Sequence, residues 1–169
     1  MIKRLGEREL RTKFGTFTEI LYYDGQKESI ALVKGDVANS EGVLCRVHSH
    51  CIGAHVFNSI ECTCREEMEA AQQLIQEAGQ GVIIWLDQEG KGNGHLALIQ
   101  SSRFKENGSS QADSYLKAGF EADARRYHAA ANILTDLRIR SIVLLANNPD
   151  KVDELRKVSI TVSDTKRIT

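Results

Sequence analysis

Three of the four cysteines crowd into one stretch of the chain, Cys51, Cys62 and Cys64, in the spacing C-x10-C-x-C. No other feature restricts the fold as much, because clustered thiols either pair as disulfides or converge on a metal. The rest of the sequence favours the metal. The amino-terminal run MIKRLGERELRTKFG is charged and lacks the uninterrupted apolar core of a secretory signal, which predicts retention in a reducing cytoplasm, where disulfides are rare. Thiolates in such a compartment select a soft divalent metal, with zinc the first choice. Structural zinc sites are closed by four protein ligands, whereas catalytic ones keep three and leave a position for water, so a three-cysteine cluster leans toward catalysis. Completion by Cys45 or by a histidine would instead close the site. Cys45 itself lies in an apolar run and reads as a small buried hydrophobe.

At 169 residues with 41% hydrophobic side chains, the chain can bury one good core and is short for two, which predicts a single domain over residues 1–169. Its 22 basic and 23 acidic residues nearly cancel, so no global field draws it to nucleic acid or to an anionic membrane. An anionic partner must therefore be held by a local site. The absence of a basic stripe also argues against a zinc-organised nucleic-acid module. Apolar runs such as 82–86 and 142–145 are far shorter than the roughly 20 residues of a membrane-spanning helix.

The first third of the chain reads as strand and turn. Residues 14–23 mix Thr, Phe, Ile and Tyr and end in Asp24-Gly25, a turn signal ahead of the apolar run 30–33, so a hairpin is expected. Residues 43–48 form a further strand candidate leading into the cysteines. From Arg65 the period changes to helix, with Met68, Ala71, Leu74, Ile75 and Ala78 on one face and Gly79 as the stop. Residues 82–86 then read as a buried strand, 96–104 as a helix and 106–111 as a loop. A second long helix is expected from about 122 to 137, with Tyr127, Ala130, Ala131 and Leu134 as its buried stripe. A buried strand over 141–146, a short helix over 150–157 and a last strand over 160–162 complete the pattern. This order, β-rich first and alternating β and α afterwards, predicts an α+β or mixed α/β fold, a mixed sheet with helices packed on it.

Gln88-Glu89-Gly90-Lys91-Gly92-Asn93-Gly94 follows a strand and precedes a helix, where backbone amides and a helix start can hold a phosphate. It lacks the spacing of a Walker loop or of the dinucleotide fingerprint, and a tight surface turn is an equal alternative. Glu89 is the more suggestive residue, because a carboxylate at the mouth of a metal site can move protons or align a substrate. Asp123 and Arg125 sit where the second helix is expected to open; each has an ordinary explanation as helix cap or surface charge. Arg46, Lys91, Arg125 and Lys151 are the cations available for phosphates. His48 and His50 flank Cys51 and can orient a water or a substrate, whereas His55, His95 and His128 have no partner visible in the sequence.

Read in order, Arg46-Val47-His48-Ser49, Cys51, Cys62, Cys64, Gln88-Glu89-Gly90, Asp123, Arg125 and Asn147-Asn148-Pro149 strongly resemble the GTP cyclohydrolase II family over residues 14–162. The resemblance implies one zinc per chain on Cys51, Cys62 and Cys64, supplying water that attacks carbon 8 of a purine nucleotide, opens the imidazole ring and releases formate. It implies magnesium with the triphosphate, loss of pyrophosphate, a place in riboflavin synthesis and a homodimer. Asp123 is then assigned to proton transfer and Arg125 to the alpha-phosphate. Arg46, Glu67, Glu89, Gly90, Lys91, Ala146 and Lys151 fall at substrate-binding positions.

Several positions depart from the family pattern. The family's active-site tyrosine falls on Ser102, a shorter side chain, which affects the step that frees formate. Lys91 replaces an arginine, a point charge in place of a bidentate fork. His50 replaces a glutamate, Ala146 a threonine and Glu67 a glutamine, although a carboxylate can still accept two hydrogen bonds from guanine. The chain stops at Thr169, short of the tail that members carry. These changes keep two other readings open: a relative that binds a purine nucleotide without turning it over, and a cyclohydrolase for a different purine in another pathway.

Overall fold

Along Glu28–Lys34 (β3), Ala31 and Val33 are buried on one face while Ile30 and Leu32 are half-covered on the other. Such alternation makes a strand with protein on both sides. The computed structural model describes residues 1–168; Thr169, the last residue of the expected domain, lies outside them. β3 pairs antiparallel with Gly15–Tyr23 (β2), which pairs antiparallel with Lys3–Thr12 (β1). The turn between β2 and β3 is closed by Asp24, whose Oδ1 accepts hydrogen bonds of 2.8 Å from the amides of Gln26 and Lys27. The expected hairpin is therefore present.

The sheet changes character at its centre. Val43–Ser49 (β4) lies parallel to Gly81–Leu86 (β5) and to Ile142–Leu145 (β6), and β6 lies parallel to Val162–Lys166 (β7). The full order of the seven strands is β1-β2-β3-β5-β4-β6-β7. Two short loops into one strand pair and helical crossovers between the others produce the mixed α/β fold. Ile52–His55 (α1) and Cys64–Ala78 (α2) connect β4 to β5. His95–Glu106 (α3), Gln111–Lys117 (α4) and His128–Asp136 (α5) connect β5 to β6, and Asp150–Lys157 (α6) connects β6 to β7.

Two apolar layers cover the two faces. Ala71 and Ile75 of α2 pack with Phe17, Ile83 and Leu145 on one side. Ala130, Ile133 and Leu134 of α5, with Val152 and Leu155 of α6, pack with Ala31, Val47, Ile84 and Leu144 on the other. Neighbouring β5 residues Ile83 and Ile84 thus point into opposite layers, as the period of a strand requires. The α2 helix stops at Gly79, which is left-handed at φ 72°.

Three sequence expectations are corrected, and one strand had no sequence signal. β1 has no apolar alternation to reveal it; its charged side chains face solvent, and it is ordered by backbone pairing to β2 at the sheet edge. α4 begins inside the loop-like stretch at Ser110, whose hydroxyl accepts the Asp113 amide at 3.1 Å. The final strand occupies Val162–Lys166 instead of 160–162, because Ile160 turns inward at the end of the α6 segment, its amide donating to Leu155 O at 3.2 Å. The second long helix begins at His128, six residues later than the sequence pattern suggests, for a reason given below. Among the described residues no helix is long and apolar enough to cross a membrane.

Ile84, fully buried between α5 and the central strands, tests the larger layer. Ile84→Ala is expected to lower unfolding free energy by about 2–5 kcal/mol in denaturant titration, through lost apolar burial and the cavity left behind.

Candidate active site

β4 is the hub of the parallel part of the sheet. Its crossover through α2 leads to β5 on one side, and the crossover after β5 returns to β6 on the other. In open α/β sheets the crevice at such a reversal, outside the carboxyl ends of the strands, is where ligands bind. Three of the sequence motifs follow these strand ends. His50 and Cys51 follow β4, Gln88-Glu89-Gly90 follows β5, and Ala146-Asn147-Asn148 follows β6.

The sulfurs of Cys51, Cys62 and Cys64 all lie within 4.8 Å of one another, and those of Cys51 and Cys62 are 3.6 Å apart. Tetrahedral zinc thiolates with bonds of about 2.3 Å place their sulfurs about 3.8 Å apart, so the spacing suits one small cation. Burial above all raises the pKa of the Cys51 and Cys64 thiols, with Cys62 adding to it in both. A divalent cation reverses that preference, because coordinating thiols are deprotonated. Cys45 is wholly buried on β4 and burial pushes its thiol up to about 12, in keeping with its reading as a hydrophobe. The metal-competent group found among the described residues contains the three sulfurs alone.

A cleft of about 510 Å³ opens where α2, which begins at Cys64, brings Glu67 against Arg46 of β4; the cysteines themselves are not among its lining residues. Seven of the residues singled out in the sequence line it: Arg46, Glu67, Lys91, Asp123, Arg125, Ala146 and Lys151. Arg46 is 7% exposed; it donates to Leu145 O at 3.1 Å and pairs with Glu67, leaving its Nε buried without a partner. Glu67 also accepts from the Thr63 hydroxyl at 2.9 Å, so both carboxylate oxygens are engaged while lone pairs remain on each. Lys151 donates to Val47 O. Burial, then the charges of Arg46 and Arg125, bring its ammonium down to about 7.

Asp123 and Arg125 grip each other in a bidentate pair, with N–O distances of 2.6 and 2.9 Å. Burial opposes ionisation of Asp123, but the hydrogen bonds from Arg125 outweigh it and hold the carboxyl below its usual range. Neither residue is helical. The segment before α5 is instead tied to the glycine loop: Ala124 N donates to Lys91 O at 2.8 Å, Asn93 Nδ2 to Glu121 O at 2.9 Å, and Arg126 N to the Gln88 side chain. These bonds engage the backbone groups a helix would need, which is why α5 starts only at His128. Gly92 permits the approach, being left-handed at φ +83° with a Cβ position 2.6 Å from the Ala124 carbonyl carbon.

The same loop folds on itself. Gly92 N donates to Gln88 O and Glu89 O at 3.2 and 3.0 Å, and Gly94 N donates to Glu89 O at 2.9 Å. Those amides are therefore engaged internally, and Lys91 is the part of the loop that faces the cleft. Glu89, 8% exposed, accepts from the Ile52 amide at 3.0 Å and lies 3.7 Å from His50 and 3.6 Å from His95. It couples the β5 loop to the residue after Cys51. Gly90, left-handed at φ +60°, makes the turn that aims it.

His55, without a visible partner in the sequence, meets His48 with Nε2 atoms 2.9 Å apart. His48 is buried and burial drives it down to about 2, so this pair is neutral. Ser102 lies exposed on α3 with its hydroxyl donating to Ile99 O at 2.7 Å, and it is not among the residues that line the cleft. Sequence reasoning does not place Tyr127 in the site, yet its hydroxyl is buried without a hydrogen-bond partner. Tyr127 was read as core stripe; it lines the cleft.

Gly92→Ala is expected to lower stability by about 1–2 kcal/mol, because a left-handed Ala is strained and its Cβ collides with the Ala124 backbone. Thermal unfolding reads the loss, and an unchanged melting temperature would show that the loop does not clamp the Asp123 segment.

The family model for GTP cyclohydrolase II matches residues 3–168. The riboflavin biosynthesis protein RibBA of Bacillus mycoides is 40% identical over 166 residues, covering 97% of this chain and 42% of the relative. The GTP cyclohydrolase-2 of Archaeoglobus fulgidus is 39% identical over 164 residues, covering 96% of this chain and 43% of the relative. The chain thus spans about two fifths of the length of these curated relatives. RibBX of A. baumannii, a two-domain 3,4-dihydroxy-2-butanone 4-phosphate synthase of known crystal structure, shares the fold with TM-score 0.55 at 17% identity, covering 99% of this chain and 40% of that one. With the three sulfurs, the switch-point cleft and a family match across nearly its whole length, the chain belongs to the GTP cyclohydrolase II family.

Proposed function

We propose that residues 1–169 form one cyclohydrolase domain that binds a guanine nucleotide, GTP or a close relative, and opens its imidazole ring at carbon 8 with release of formate. The observation that carries this reading is the convergence of three cysteine sulfurs at the loop after β4 and the start of α2, the helix whose Glu67 lines a cleft that also holds Arg46, Lys91, Arg125 and Lys151. The donor set fits a single zinc on Cys51, Cys62 and Cys64, with a fourth position left for water. Zinc held there lowers the pKa of water from about 15.7 to near 7, which makes hydroxide available at neutral pH to attack an electron-poor carbon between two ring nitrogens.

The chain's own groups divide the remaining work. Arg46 and Glu67 form a buried pair at the cleft wall, with lone pairs on the carboxylate and the Arg46 Nε left to read base edges. Ala146 adds backbone and little bulk beside them. Lys91, Lys151 and Arg125 supply charge for the phosphates, and magnesium accompanies the nucleotide. Arg125 stays protonated in any protein setting, so its part in pyrophosphate release is to stabilise developing charge. Asp123, kept ionised by Arg125, accepts or relays protons. Glu89 and Gly90 fix the loop that flanks the metal ligands. Ser102 stands at the position assigned to deformylation chemistry, with its hydroxyl turned to Ile99 O. The domain serves riboflavin synthesis in the cytoplasm as a homodimer.

Metal analysis is expected to find about one zinc per chain, and Cys62→Ser to lose it with at least a 100-fold fall in turnover, since the attacking hydroxide goes with the metal. Mass analysis of products from a panel of purine nucleotides, with formate and pyrophosphate measured separately, tests the reaction. GTP left intact by stoichiometric protein that binds it would favour the non-catalytic reading. Because Lys151 is charged only below about 7, phosphate-dependent affinity is expected to fall by up to about tenfold between about pH 6 and pH 8.5. Nucleotide titration of Lys151→Met should give weak binding with little of that pH dependence.

A further inference from the structure

Cys51 caps the start of α1 and Cys64 opens α2, so the placement of these two helices relative to each other sets where their sulfurs lie. Apolar packing does little to fix the chain between them, since Val56, Phe57 and Ile60 are 59%, 70% and 98% exposed. With only four residues, α1 is also too short to hold its shape through its own backbone bonds. Polar contacts from outside hold it instead. At its start, Glu89 on the loop after β5 accepts the Ile52 amide at 3.0 Å. At its end, Arg65, the residue after Cys64, donates from Nε to Ala54 O at 2.9 Å and from Nη2 to His55 O at 2.8 Å. Among the described residues no backbone amide donates to either carbonyl, and Ala54 is wholly buried. The guanidinium therefore supplies partners that the end of a helix otherwise lacks. Arg65 does not line the cleft, so phosphate binding does not account for it.

We propose that Arg65 is a positioning residue for the metal centre, which presets Cys51 against Cys64 by holding the last carbonyls of α1. The proposal rests on the zinc reading above. A guanidinium suits the task because its donors form a rigid fork, so two bonds fix both the distance and the angle between α1 and α2. A lysine ammonium is a point charge on a flexible stem and leaves that angle free. Cys64 and Arg65 share the first turn of α2, so a contact that fixes Arg65 on α1 also fixes the Cys64 sulfur relative to that of Cys51. The three sulfurs lie within 4.8 Å of one another, as such a clamp requires. Thiols held in place by the fold lose less of the metal's binding energy to the ordering of loops.

The test measures the zinc affinity of the full chain by competition with a chromophoric chelator, for wild type, Arg65→Lys, Arg65→Met and the core variant Ile84→Ala. Arg65→Met is expected to bind zinc about 10- to 100-fold more weakly, the range seen when groups that orient metal ligands are removed. Arg65→Lys is expected to fall between Arg65→Met and wild type, because it keeps the charge and loses the fork. Ile84→Ala lowers stability in the layer opposite α2 and is expected to stay within about twofold of wild type, since its ligand loops are untouched. Zinc affinity of Arg65→Met within about twofold of wild type, or weakened no more than that of Ile84→Ala, overturns the role of Arg65. Should Arg65→Met fail to fold, wild-type affinity in Arg65→Lys overturns it equally. Those outcomes leave the zinc reading standing, whereas a wild type that takes up no zinc removes both.

Discussion

The parallel pairing of β4 with β5 on one side and β6 on the other is the constraint on which the site depends. Paired strands that run the same way end on the same edge, so three loops distant in sequence emerge side by side. The first loop carries sulfurs, the second Glu89, and the third Asn147 and Asn148. None of these groups could meet on an antiparallel hairpin sheet, where consecutive strands finish at opposite edges. The pairing is held by the apolar continuity of β5, buried along nearly its whole length, and by helices on both faces.

On that scaffold, short polar contacts decide the geometry. Glu89 accepts the Ile52 amide, Gln88 accepts the Arg126 amide, and Lys91 O accepts the Ala124 amide, so one loop fixes both the segment after Cys51 and the segment bearing Asp123 and Arg125. Five cationic side chains line the cleft against four carboxylates. Two are neutralised locally, Arg46 by Glu67 and Arg125 by Asp123, while Lys151 answers its burial by a lowered pKa.

Much of this was legible in the sequence, for identifiable reasons. The cysteine cluster and the Gln88-Glu89-Gly90 and Asn147-Asn148-Pro149 motifs are local signals, and periodicity marked β3, α2 and β5 because each buries a regular stripe. β1 was invisible because edge pairing needs only backbone groups. The helix expected from residue 122 failed because its amides are engaged by a loop some thirty residues earlier in the chain, a contact that no local pattern reports.

By itself, the sequence determined the clustering of three thiols, the order of the motifs and the alternation of strand and helix, since these follow from residue type and spacing. Tertiary structure alone decided which of those residues share a site. It set His48 against His55, closed Asp123 on Arg125 and turned Ser102 toward Ile99. The physical reason is that hydrogen-bond partners and desolvation depend on distances between chain segments, and those distances exist only once the sheet has brought the strand ends together.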